Sequence, residues 1–367
     1  EILGDSSRLM QIIREELHDL VTNFGDERRT EITASKRDLT VEDLIPEEDR
    51  VVTISHGGYA KSQPLDDYRA QRRGGTGRSA TAVKDEDFVE HLLIANTHDT
   101  ILLFSNVGKV YWMKVFHIPI AGRGSRGRPV VNMLPLDQGE RITSILPVAE
   151  YLEDHYIFMA TASGIVKKTA LTDFSRQRSV GLRAIELDED DVLIGTAITD
   201  GASDVLLVSS EGKTVRFKET AVRAMGRTAR GVRGIKMGEN QHLIALMIPR
   251  ADGRVLTVSE HGYGKRTHVD EFPVKGRGTQ GVIGMQTSER NGRLVGAIQV
   301  DAGNEMMLIS DQGTLVRCRT DEVSELGRNT QGVRVIRLKE GESLVSVARI
   351  EDTDSEDADE PAAEEGS

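Results

Sequence analysis

The sequence holds a single cysteine, Cys318, among 367 residues. That excludes an intramolecular disulfide framework and fits a reducing compartment. With no His or Asn partner pattern around it, Cys318 reads as a small core hydrophobe. Aromatics amount to 4% and prolines to nine, whereas glycines number 36, a balance that favours many short turns over Pro-rich linkers. No run reaches the roughly 18 apolar residues of a membrane span, and no basic segment followed by an apolar one opens the chain. A cytoplasmic location away from any membrane is therefore expected. The nine histidines lack metal-ligand spacing, and neither a nucleophile elbow nor a carboxylate pair stands out. No active site, metal or cofactor is expected within this chain. Its first residue is Glu1, which reads as a fragment or a processed chain.

At 38% hydrophobic content a core can form, and the length exceeds one small domain. The net charge of −12 is unevenly placed: residues 1–49 carry −8 and residues 351–367 carry −9, which leaves +5 on residues 50–350. A mildly basic body lies between two acidic ends, compatible with a polyanionic partner if the positive residues cluster. The acidic end reads either as a solubilising disordered tail or as a competitor for that basic surface.

In "DSSRLMQIIREELHDLVTNFG" the apolar residues Leu9, Ile12, Ile13, Leu17, Leu20 and Val21 recur at helical spacing up to Gly25, which predicts one amphipathic helix within residues 1–25. It is either docked on the body or the end of a longer helical region. Residues 26–49 are charged without sustained periodicity and read as a linker.

From residue 50 the chain repeats itself. A β-rich run, a Ser or Thr, a Gly turn and a second run recur, as in "VLLVSSEGKTVR" and "VLTVSEHGYGKR", with turn glycines at Gly58, Gly108, Gly164, Gly212, Gly262 and Gly313. Each is followed by a Gly/Arg box ending at Gly77, Gly127, Gly181, Gly231, Gly281 or Gly332, 19 residues later in five repeats and 17 in the third. A third apolar run recurs near Leu93, Ile145, Ile194, Ala245, Gly296 and Val345. Six units of about 50 residues, each with several short strands, predict an all-β, six-bladed propeller-like ring over residues 50–350. One such unit cannot bury both faces alone, so stacked neighbours supply the core.

Strand alternation places Val215 and Phe217 of "KTVRFK" on one face with Arg216 and Lys218 on the other, and "TLVRCR" divides likewise. Carried around the ring, this pattern predicts a positive belt of Lys61, Lys114, Lys167, Lys168, Lys213, Arg216, Lys218, Lys265, Arg266, Arg317 and Arg319. The box copies add Arg123, Arg126, Arg128, Arg227, Arg230 and Arg277. A solvated face is the ordinary reading of such charges. Recurrence in register, with the acids gathered at the ends, favours phosphate contact instead. The first box, "QRRGGTGR", is not a P-loop, because no Lys precedes its Ser. It combines guanidinium forks with bare backbone, which suits phosphate oxygens. Tyr59, Tyr111 and Tyr263 follow turns and read as packing residues.

These features resemble the C-terminal domain of the DNA gyrase A subunit. Gln71, Arg72, Arg73, Gly74, Gly75 and Gly77 match that family's signature box, while Thr76 stands where the family has Lys and Arg78 adjoins it. "RLMQIIREEL" and "GDERRTEITA" are similar to the end of the breakage-reunion region and its linker. "ANTHDTILLFSNVGKVYWMKV" and "GRNTQGVRVIRL" are similar to blade sequences. The resemblance implies a six-bladed β-pinwheel whose basic rim wraps double-stranded DNA with positive handedness, so that the whole enzyme introduces negative supercoils. It implies no catalytic tyrosine and no ATPase here, ATP and Mg belonging to other regions. Its implied partners are the N-terminal region of gyrase A together with gyrase B, in an assembly of two A and two B subunits, with the fragment itself monomeric. The related topoisomerase IV A subunit, which generally lacks an intact first box, is the nearest alternative, and a propeller scaffolding protein partners is another.

Overall fold

The computed structural model describes residues 5–26, 42–55, 57–65, 89–122, 125–312 and 315–350. It divides into two units at Leu44 and Ile45. In the first, Ser6–Phe24 forms a helix capped by Asp5, whose carboxylate accepts from the Ser7 amide at 2.9 Å. Gly25 ends it as expected, but through close approach rather than a left-handed backbone. Its φ is −70°, and a Cβ there would lie 2.3 Å from the Val21 carbonyl oxygen. The helix buries none of its residues.

The second unit is the expected ring of six blades. Blade 4 shows the plan. Asp204–Ser209 pairs antiparallel with Lys213–Lys218 on one side and with Leu243–Met247 on the other, and Val282–Ile283 adds an outermost strand. Leu207 faces Val215, and Val205 faces Phe217. The recurring Ser or Thr before each turn glycine now has a reason. The Ser209 hydroxyl accepts the Lys213 amide at 3.1 Å, and those of Ser55, Ser105 and Thr161 accept the amides of Tyr59, Lys109 and Ile165. Each turn glycine between them has φ near +75°, a conformation that costs other residues about 1 kcal/mol or more.

The outermost strand of each blade is only two residues long and comes from the chain that follows the next repeat's box. Arg128–Pro129 joins blade 1, Leu182–Arg183 blade 2, Val232–Arg233 blade 3, Val282–Ile283 blade 4 and Val333–Arg334 blade 5. Blade 6 is three-stranded among the described residues. The innermost strands line up around the axis. Leu344–Ile350 of blade 6 touches Val89–Asn96 of blade 1, which closes the ring.

The core is a set of layers between blades. Phe158, Ala160 and Val166 of blade 3 pack against Val205, Leu207, Val215 and Phe217 of blade 4, all at most 1% exposed. At about 1.5–3 kcal/mol for each fully buried large side chain, every interface holds its two blades together. The strand exchange also depends on glycine at the box ends. At Gly281 φ is +71° and a Cβ would lie 2.2 Å from the Thr214 carbonyl oxygen. Replacing Gly281 with Ala should cost about 2 kcal/mol or more, seen as a lower thermal unfolding midpoint. An unchanged midpoint would show that this crossing is not tight.

Candidate nucleic-acid interface

In a propeller both faces of a blade meet neighbouring blades, so alternation along a strand does not by itself expose one set of side chains. The expected basic belt therefore divides in two, and half of it is corrected. Lys61, Lys167, Lys168 and Lys265 are at most 6% exposed. The Lys61 ammonium donates to the carbonyls of Gly122 and Ser125 at 3.2 and 3.1 Å. Lys167 donates to the carbonyls of Ala184, at 2.6 Å, and Arg227. Lys265 donates to the carbonyls of Gly327 and Arg328 at 2.7 and 2.5 Å. Lys168 pairs at 3.4 Å with the fully buried carboxylate of Glu219, which also accepts from the Thr199 hydroxyl and the Ser203 amide.

Burial pushes Lys167 down to about 8, helped by Arg227 and opposed by Asp173. Burial likewise pushes Lys265 to about 8, with Glu271 opposing and Arg328 adding to it.

Arg216 and Arg266 are braces as well. Arg216 donates to the Val269 carbonyl of the next blade at 3.0 Å and pairs with Asp204 at 2.7 Å. Arg266 donates to the Val323 carbonyl at 2.8 Å. Lys114 donates to the His98 carbonyl at 2.8 Å. Two box arginines reach back to the ring, Arg227 to the Asp173 carbonyl and Arg277 to those of Ala221 and Arg233. Lys213 is half-buried. None of these groups is held out toward solvent as the belt required.

The other half of the belt is at the surface. Arg126, Arg128, Lys218, Arg230, Arg317 and Arg319 are exposed. Arg126 lies over the Tyr59 ring at 5.2 Å, a cation–π contact that orients it at small cost. Lys218 pairs with Asp204 and Arg230 with Asp188, each at 2.7 Å, and Arg317 pairs with Glu305. Exposed pairs of this kind contribute about 1 kcal/mol at most, so a phosphate can compete for the cation.

Sequence reasoning missed a further set. Arg183, Arg233 and Arg334 occupy the second position of the outermost strands and are exposed, as are Arg176 and Arg178 in the third box. Their signal was available as an apolar residue then Arg directly after the box glycine, in "LR", "VR" and "VR". Gln71, Arg72, Arg73, Gly74, Gly75, Thr76, Gly77 and Arg78, together with Arg123, lie outside the described residues. Tyr111 is 1% exposed with its hydroxyl on Glu140, and Tyr263 is 5% exposed under two guanidiniums, the packing roles expected of them. The hydrogen bond to Glu140 comes second to burial in pushing Tyr111 up to about 12.

The outer edge of the ring thus carries guanidinium and ammonium groups from several blades, chemistry suited to repeated phosphate contacts without base readout.

A family model described as "DNA gyrase C-terminal domain, beta-propeller" matches residues 49–96, 99–149, 155–200, 203–250, 253–301 and 304–351, one segment per blade. The DNA gyrase A subunit of Salmonella typhimurium is 59% identical over 97% of this chain and 41% of its own length. That of Pseudomonas aeruginosa is 54% identical over 99% and 44%. The chain thus spans less than half the length of these relatives. Among solved structures, the C-terminal domain of DNA topoisomerase IV superposes with a TM-score of 0.73 at 26% identity, covering 84% of this chain and 94% of that one. A DNA gyrase A C-terminal domain superposes at 0.64 and 29% identity, over 82% and 99%.

The division of the belt is testable by stability. Lys168→Ala strands the Glu219 carboxylate in the interior and should cost about 3 kcal/mol, whereas Arg230→Ala should cost well under about 1 kcal/mol. Equal effects in denaturant titrations would contradict the buried assignment.

Proposed function

Because the chain belongs to the DNA gyrase C-terminal domain family, we propose that it is a non-catalytic DNA-binding module that wraps a segment of double-stranded DNA around its outer edge. The observation that carries this reading is the ring of exposed arginines at the box loops and outermost strands, Arg126, Arg128, Arg183, Arg230, Arg233 and Arg334. They belong to the edges of blades 1, 2, 3 and 5 rather than to one patch. A duplex following such an edge gains a phosphate contact at each of these blades and must bend to keep it. No helix is presented to a groove there, so affinity is independent of sequence and steeply salt-dependent.

The handedness of the wrap is positive, and the wrapped segment is presented to the rest of a gyrase. That assembly of two A and two B subunits, hydrolysing ATP with Mg in the bacterial cytoplasm, introduces negative supercoils. Gln71–Arg78 clamps the DNA where the wrap closes, and residues 351–367 compete for the cationic edge.

Ligating a nicked plasmid in the presence of this chain should leave a positively shifted linking number, and affinity should fall steeply as salt is raised. An unchanged topoisomer distribution would sink chiral wrapping, and flat salt dependence would favour a protein scaffold. Alanine at Arg72, Arg73 and Gly74–Gly77 should keep much of the affinity and lose the shift. Removing residues 351–367 should tighten binding or enlarge the shift, and no difference would leave the tail a solubilising end.

A further inference from the structure

Three of the buried lysines, Lys61, Lys167 and Lys265 in blades 1, 3 and 5, share one position, three residues after the turn glycine, and one environment. On either side of each, the next repeat's chain is tied to the strand edge. Ser62 bridges Ile120 and Ala60 pairs with Arg128 around Lys61. Lys168 bridges Ala224 and Val166 pairs with Val232 around Lys167. Arg266 bridges Glu325 and Gly264 pairs with Val333 around Lys265. Around Lys167 and Lys265 the box between the two ties therefore bows away from the strand, and the ammonium fills the space beneath it. In blades 2 and 4 the same position holds Tyr111 and Val215. There the loop rests on an apolar side chain, with a Gly181 Cβ falling 2.6 Å from the Tyr111 ring and a Gly281 Cβ 2.7 Å from Val215.

An ammonium beneath a loop turns its carbonyls inward. No described peptide is cis, and in a planar trans peptide the N–H points opposite to the C=O. Carbonyls of Ser125, Arg227 and Arg328 aimed at Lys61, Lys167 and Lys265 therefore aim the amides of Arg126, Thr228 and Asn329 outward, at three exposed residues. Outward amides beside arginines form an anion-binding concavity.

Resting on the DNA reading above, we propose that Lys61, Lys167 and Lys265 are positioning residues for DNA binding, internal struts that never touch DNA but hold the second, fourth and sixth box loops with the amides of Arg126, Thr228 and Asn329 turned toward phosphate. The grips then recur at every second blade, and the ring acts as three blade pairs. Boxes over Tyr111 and Val215 have no interior cation to turn their peptides and serve as spacers.

The test uses the 367-residue chain carrying Lys167→Met and Lys265→Met together, which keeps bulk and removes charge. Affinity for a linear duplex at fixed salt should fall about tenfold, or about 1.4 kcal/mol, with the ligation shift reduced. Folded double variants that bind and wrap as the parent does would overturn the proposal.

Should the double variant not fold, the parent chain answers by pH. Between about pH 7 and about pH 9.5 Lys167 and Lys265, which burial pushes down to about 8 with Arg227 and Arg328 adding and Asp173 and Glu271 opposing, lose their protons. The native state binds fewer protons than the unfolded chain in this window, so stability rises with pH. DNA affinity should fall over the same window, opposite in sign to stability. Affinity that stays flat or rises with stability would overturn the positioning role. A parent chain that binds no duplex at about pH 7 would instead overturn the DNA reading itself.

Discussion

Everything in this ring depends on each sheet being covered on both faces. Two neighbouring blades sandwich every inner strand pair, and residues such as Leu206 and Leu207, adjacent in sequence and opposite in direction, are both fully buried in different layers. A sheet so enclosed has no solvated face on which polar residues can alternate. Charge is confined to three places: the thin outer edge, the turns at the ends of strands, and interior sites where a partner is supplied. The two-residue outermost strands follow from the same constraint. They protect the edge of each blade while leaving little unpaired backbone to template another strand.

Interior charge is handled differently by each kind of group. Arg216 and Arg266 stay half-buried and cross-link to the next blade's short 3₁₀ turn, donating to Val269 and Val323 carbonyls. Trp112, at the equivalent place in blade 2, makes the same cross-link with its indole N–H to the Phe174 carbonyl at 2.8 Å. One position therefore recurs as a donor to the neighbouring backbone, and the chemical identity of that donor is secondary. Lys168, at the same place in blade 3, carries a counter-ion that sits wholly inside, Glu219. Lys167 and Lys265 are held by backbone carbonyls rather than by a bonded carboxylate, and burial lowers their proton affinity, which makes the boxes above them sensitive to charge.

The fold was largely legible because its markers are backbone requirements. The described turn and box glycines adopt positive φ, which few other residues satisfy at low cost, so their spacing traced six blades. Period two correctly paired Val215 with Phe217. It could not say what lies over the opposite face. Lys61 and Lys265 read like surface lysines because a buried ammonium is identified only by the carbonyls around it, and these come from residues about 60 positions later. Arg183, Arg233 and Arg334 were overlooked for a related reason. A two-residue strand is too short for any periodic signal, although its position after a box glycine is regular. At Gly25 the end of the helix was read correctly, and proximity to the Val21 carbonyl is what requires the missing side chain.

The one irregular spacing between a turn glycine and its box end has a packing origin. The third box ends 17 residues after its turn glycine, two fewer than the others, and it is the box that lies over Tyr111. The ring of Tyr111 fills the space that Lys or Val occupies elsewhere and brings Gly181 against its edge. Among the described residues, Trp112 forms no parallel bridge of the kind that anchors the chain at Ser62, Lys168, Arg216 and Arg266. The shorter chain instead runs through a four-residue 3₁₀ turn, Leu171–Phe174, whose last carbonyl takes the Trp112 indole. A large aromatic beneath the loop and a shorter loop above it are two halves of one accommodation, which lets the outermost strand at Leu182 keep its place opposite Val110.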